Sequence, residues 1–232
     1  DKYITTTLLK TDASLLEVFN SLISKANGNI RGKIVYENAE DKNSYEAYLT
    51  SNNLSLVSEH SPFSINKGDF KISFIDKTIH VEKFSAALQA GSFDLKGKIN
   101  LKQIIPDINL KYEFKDAGVT ILKKSNLVFS GNGTVLGKTF PYALSGDFYI
   151  QNFILINELT DFQLGDGEYR IGDIEYLPGQ KNIKNNQFLN LNINVSTREP
   201  VFIRNTLADL GFLANLHVQG GEKEPRVSGE VS

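Results

Sequence analysis

The 232-residue sequence has no cysteine, no methionine and no tryptophan. Without cysteine there is no disulfide framework and no thiolate to attack a substrate or hold a metal, a lack that suits a cytosolic protein and a disulfide-free envelope protein equally well. Only three histidines occur, His60, His80 and His217. None has a second histidine or paired carboxylates at ligand spacing, so no metal site and no cofactor is expected. An excess of one charge is missing too: 25 Lys and Arg oppose 27 Asp and Glu, for a net charge of −2. That balance gives no electrostatic case for nucleic acid or an anionic membrane surface. No apolar run is long enough to cross a bilayer as a helix. The sequence starts at Asp1 in strand-like text and stops at Gly229-Glu-Val-Ser. It therefore reads as a piece of a longer polypeptide, and missing signals or anchors carry little weight.

What is present is alternation of period two, the mark of half-buried strands. Phe93, Leu95, Ile99 and Leu101 alternate with Asp94, Lys96, Lys98 and Asn100. Ile108, Leu110, Tyr112 and Phe114 alternate with Asn109, Lys111, Glu113 and Lys115, and Leu189, Leu191, Ile193 and Val195 with three asparagines and Ser196. Noisier segments recur at 3–9, 29–37, 45–50, 54–58, 69–75, 78–84, 119–122, 127–136, 146–156, 169–176, 201–204 and 212–218. Turn chemistry such as Asn27-Gly28, Asp76-Lys77, Ala90-Gly91 and Gly165-Asp-Gly167 separates them.

One segment departs from this pattern. Leu15, Leu16, Phe19, Leu22 and Ile23 fall at helical spacing, which predicts one short amphipathic helix over about 13–26. Asp12 or Ser14 can cap its start and Asn27-Gly28 can close it. Its polar face is nearly neutral, so packing against sheet is favoured over lying on lipid. One helix cannot cover about a dozen one-faced strands. Either the sheet closes on itself as a sandwich or barrel, or it curls and leaves an apolar trough that needs a ligand or partner.

Two stretches share a pattern: Gly137-Lys-Thr-Phe-Pro141-Tyr-Ala-Leu-Ser-Gly146-Asp and Gly220-Gly-Glu-Lys-Glu-Pro225-Arg-Val-Ser-Gly229-Glu. Each is a strand ending in Gly, a turn carrying Pro, and a strand opening with Gly and an acid. They predict repeated hairpins over about 127–157 and 212–232, with a degraded third copy at Asn38 to Ala47. A repeated hairpin builds a long sheet, more often a scaffold or conduit than a catalyst.

With Glu199-Pro-Val-Phe-Ile-Arg-Asn205 and Leu213-Ala-Asn-Leu-His-Val-Gln-Gly220, the second hairpin resembles the TamB family of AsmA-like envelope proteins of diderm bacteria. Gly220, Pro225 and Gly229 keep the family spacing, whereas Pro141 sits one place early. The Ala13-Ser-Leu-Leu-Glu-Val-Phe entry and Gly28-Asn-Ile-Arg-Gly32 are similar to its helix-then-strand module. The resemblance implies an all-β fold: a long, curled, mostly antiparallel "β-taco", an open elongated β-roll of which 1–232 is one continuous piece. It implies bridge-like phospholipid transfer between inner and outer membranes by a non-enzymatic periplasmic protein, part of a longer inner-membrane-anchored one. The expected partners are phospholipid acyl chains and an Omp85-type outer-membrane barrel such as TamA, with no nucleic acid. The alternative is a β-augmentation module that assists outer-membrane protein assembly with that barrel.

Phe93, Leu95, Leu110, Tyr112, Phe148, Ile150, Leu191 and Ile193 are the expected lipid-binding groove. Periodicity alone favours ordinary sandwich core for them; the resemblance reverses that preference. Other signals are weaker. Gly131 to Thr139 has five residues between Gly131 and Gly137 where a phosphate loop needs four, and Phe140-Pro141 comes where a helix should begin. Asp161, Asp166, Glu168, Asp173 and Glu175 lack the tight spacing of a calcium loop and read as an acidic outer face. Ser64 and Ser145 have no nucleophile-elbow context, so no catalytic residue is expected. A carbohydrate-binding sandwich is disfavoured by the absence of tryptophan.

Overall fold

A computed structural model describes residues 3–14, 17, 23–39, 42–57, 64–122, 125–155, 187–204 and 209–232. These residues form fourteen strands of one sheet. In chain order they are β1 (Tyr3–Asp12), β2 (Lys25–Ala39), β3 (Lys42–Val57), β4 (Ile65–Ile75), β5 (Thr78–Leu88), β6 (Ser92–Asn100) and β7 (Asp107–Leu122). Next come β8 (Ser125–Gly137), β9 (Tyr142–Leu155), β10 (Leu189–Thr197), β11 (Val201–Arg204), β12 (Asp209–Phe212), β13 (Ala214–Gly221) and β14 (Arg226–Val231). The expectation of an all-β, mostly antiparallel sheet holds.

From β1 to β9 each strand pairs antiparallel with the next; from β2 onward the connections are too short for a crossover. Asp76 and Lys77 both take positive φ, 46° and 56°, which matches the twist of the β4–β5 hairpin. The order then departs from sequence: β10 and β11 pair with β9 in parallel, and β13 pairs with β10. A parallel neighbour needs a long connection, and residues 156–188 supply it between β9 and β10. Short turns alone did not reveal this reversal.

The N-terminal region corrects the helix boundary. Lys25 and Ala26 belong to β2, and Asn27-Gly28 is a bulge inside that strand, with Gly28 at φ 124°, rather than a helix end. The interior of the expected helix, residues 15, 16 and 18–22, lies outside the described residues, as does the expected strand at 169–176. Asp12 does organise a turn: its Oδ1 accepts the Ser14 N–H at 2.8 Å, a bond that lowers its pKa. No described helix is long and apolar enough to cross a membrane.

The described strands form one continuous sheet whose path runs from β1 to β14. These two strands do not pair with each other, so among the described residues the sheet does not close into a barrel. Bulges in β2, β3, β4, β5, β7 and the β8–β9 pair bend their strands and shift the phase of alternation. Complete burial is confined to small places. The main one joins Ala13, Ala26 and Leu54 with Ile23, Ile30, Leu56 and Phe70 around the β1–β3 end.

Candidate functional site: the apolar face

Directly paired residues of a sheet share one face, so the register sorts every strand into two sides. One row of partners runs Val81–Gly97–Leu110–Val135–Leu144–Leu191, one residue from each strand between β5 and β10. Beside it runs Ile79–Ile99–Ile108 on β5–β7. On its other side run Phe84–Leu95–Tyr112–Gly133–Gly146–Ile193 and Ala86–Phe93–Phe114–Gly131–Phe148–Val195. None of these positions is charged. The face extends through Val218 and Val227 on β13 and β14, and through Ile72, Leu49 and Gly32 toward β2.

Rings concentrate on one side of this face. Phe93 and Phe114 have centroids 4.7 Å apart, Phe114 and Phe129 5.4 Å, Phe129 and Phe148 5.9 Å, and Tyr112 and Phe148 6.1 Å. Glycines make room for them. A Cβ on Gly131 would stand 2.4 Å from Phe148 Cδ1, and one on Gly133 would stand 2.4 Å from the Tyr112 hydroxyl oxygen. That hydroxyl crosses β8 and donates to the Ser145 carbonyl of β9 at 3.0 Å. Burial pushes the Tyr112 phenol above its ordinary pKa.

The opposite face is polar. Ser85 donates to Asp94 at 2.5 Å, Thr134 and Ser145 share a 2.9 Å hydroxyl contact, and Asn194 donates to Asp147 at 2.7 Å. The His217 Nδ1 lies 2.8 Å from the Asn194 side-chain Oδ1. Lys71 and Ser73 bind Glu82, and their bonds hold its pKa down. A cleft of about 690 Å³ between Asp94, Lys96, Lys111, Glu113 and Thr134 lies on this side. A second, of about 770 Å³, lies at the β13–β14 turn beside Gln187 and Pro225. Both are open to solvent. Among the described residues no group of His, Asp and Glu is arranged to hold a metal. Gly131 to Gly137 is extended β8 and leads to a hairpin turn, not to a helix, which removes the phosphate-loop reading.

All eight sequence-selected groove residues lie on the apolar side. Leu110 and Leu191 occupy the Val81–Leu191 row; Leu95, Tyr112 and Ile193 occupy the next. Phe93 and Phe148 belong to the ring cluster, and Ile150 pairs with Phe129 beside it. Val81, Phe84, Phe129, Val135 and Leu144 share the face and were not selected. For Val81, Phe84 and Phe129 the signal existed but was broken: the β5 bulge between Val81 and Phe84 and the β8–β9 irregularity at Val128/Phe129 interrupt period two. The acidic cluster at 161–175 and His60 lie outside the described residues.

The family model described as the TamB C-terminal domain matches residues 82–232, which contain most of this face. No curated protein matches, and no solved structure matches.

Proposed function

From a chain that belongs to the TamB C-terminal domain family, a family of non-enzymatic bacterial envelope proteins, we propose a lipid conduit in the periplasm. Phospholipid acyl chains lie along the apolar face while head groups remain in water at its open side. The observation that carries this reading is a face without charge that runs from β5 to β10 across one unclosed sheet. A soluble surface of that extent calls for a ligand or partner.

The energetics favour sliding over tight holding. Covering one acyl CH₂ contributes about 0.8 kcal/mol, but the same methylene is already covered in the bilayer it leaves. Exchange between membrane and face is therefore nearly balanced. A face of repeated aliphatic side chains adds no deep trap along the way. In this reading the chain is one section of a longer inner-membrane-anchored bridge that meets an Omp85-type barrel.

The test places a charge on the face. Leu191→Asp in the intact protein should remove the phospholipid found by mass spectrometry of organic extracts. Leu136→Asp, a charge on the opposite face at an exposed position, should leave it. A folded Leu191→Asp protein carrying undiminished lipid would overturn the conduit.

A second reading has its own observation. β14 is exposed at every residue, and among the described residues only β13 pairs with it. Such an edge can accept a strand from an assembling outer-membrane protein. A proline in β14 that stops assembly while lipid carriage persists would favour that role.

A further inference from the structure

We propose that the lipid travels in one lane of this face, a single file of hydrocarbon over Val81, Gly97, Leu110, Val135, Leu144 and Leu191, with the neighbouring rings as a fixed kerb. This rests on the conduit reading and narrows it to particular residues.

The lane takes one residue from each of six consecutive strands. At the usual spacing between strands it is roughly 24 Å long, and the next row lies about 6.7 Å to the side. Every lane side chain is aliphatic or absent, and the backbone beneath is committed to the sheet ladder. Nothing along that length can hydrogen-bond to an occupant. A peptide would leave its amides unpaired there, whereas a hydrocarbon chain has no such groups. The dip at Gly97 is enforced by its backbone: φ is 143°, and a Cβ would stand 2.1 Å from the Asn109 carbonyl oxygen.

The ring side differs in kind. Its aromatic side chains touch one another in a connected set, from Phe84 through Phe93 and Phe114 to Phe129 and Phe148. A chain sliding through that set must part rings that already satisfy each other. Tyr112 marks the boundary, since its hydroxyl is bonded to the Ser145 carbonyl and its ring lies over Gly133. The phenol cannot swing into the lane without breaking that bond.

A diacyl phospholipid bearing a diazirine midway along one acyl chain tests the lane. The intact protein is irradiated with it and the adducts are mapped by mass spectrometry. Adducts should fall on Leu110, Val135, Leu144 and Leu191 and be absent from Phe114 and Phe129. Val135→Trp should cause loss of the lane adducts, and Phe129→Trp should not. Adducts concentrated on the rings overturn the lane while leaving the conduit standing. So does unchanged labelling in a folded Val135→Trp protein. Absence of adducts from the whole apolar face overturns the conduit itself. If Val135→Trp does not fold, the adduct map of the unaltered protein decides between these outcomes.

Discussion

The hydroxyl of Tyr112 on β7 reaches over β8 and donates to the carbonyl of Ser145 on β9 at 3.0 Å. The bond is possible because the strand it crosses offers Gly133, and the strand it reaches offers Gly146, at the paired positions. A tyrosine thus takes the space that two side chains would have filled. It joins three strands by one ring and one hydrogen bond. The same glycines that weaken strands through backbone entropy are here covered by an aromatic side chain, and the apolar face stays continuous across them.

Gly133→Ala should therefore cost more than a glycine-to-alanine change in an open strand. Its Cβ would stand 2.0 Å from the Ser145 carbonyl oxygen and 2.4 Å from the Tyr112 hydroxyl oxygen. One of these obstacles is backbone and cannot rotate away. Overpacking of this kind costs about 2 kcal/mol. Tyr112→Phe keeps the ring and loses only the bond, for about 1 kcal/mol. Urea midpoints should rank unaltered protein above Tyr112→Phe and Tyr112→Phe above Gly133→Ala. The reverse order of the two variants would show that the ring does not cover the glycine.

Tyr112 also predicts behaviour in base. Burial raises its pKa above the ordinary 10.0. Its folded form therefore keeps the proton over a range in which the unfolded form releases it. The contribution is fully present below pH 10, and it is lost as pH rises from there through the folded pKa. Denaturation midpoints of the unaltered protein should fall above pH 10 more steeply than those of Tyr112→Phe. The sequence holds nine tyrosines, so the difference between the two proteins, not either slope alone, is the readout. Parallel slopes would contradict the prediction.

The closed core near the N-terminal end makes a different prediction. Leu54 is 2% exposed, in a cluster with Ala13 and Ala26. Its truncation leaves a cavity with little room to collapse, because Gly28 already lies against the Asn53–Leu54 backbone. Leu54→Ala should cost about 3 kcal/mol. Val227→Ala, at an exposed position on β14, should cost far less in the same urea titration. Equal losses would mean that the cluster is not a core.

Fold class was legible because alternation is local. Phe93 to Ile99 and Leu189 to Val195 carry their face assignment in the residues themselves, and the register keeps both on one side. The strand order after β9 was not legible, because its parallel neighbour is a strand separated from it by residues 156–188, and no local pattern links the two. The N-terminal boundary failed for a related reason: Lys25 and Ala26 continue a helical spacing, yet pairing with Val57 and Leu56 draws them into β2. Six of the eight selected positions lie in clean alternation and Phe148 and Ile150 in a noisier segment, whereas Phe84 and Phe129 required knowing where bulges reset the phase. The split between an aliphatic lane and a ring cluster was invisible along any one strand. It exists only across strands, where Leu110 meets Val135 while Phe114 meets Gly131.

Glu222 predicts behaviour in acid. Its two carboxylate oxygens accept the N–H groups of Phe188 and Leu189, each at 2.8 Å, where the chain re-enters the sheet at β10. Burial disfavours the charged carboxylate, but the N–H bonds from Phe188 and Leu189 outweigh it and bring the pKa below the ordinary 4.5. A depressed carboxylate pKa supplies stability above the unfolded value, and that stability is lost as pH falls through the folded value. Glu222→Gln should thus lower the urea midpoint at pH 7 by an amount equivalent to roughly 1 kcal/mol, after allowance for solvent screening. The two proteins should converge once the pH lies below the folded pKa of Glu222. A deficit that persists unchanged through that range would assign the loss to packing, not to the carboxylate that anchors the start of β10.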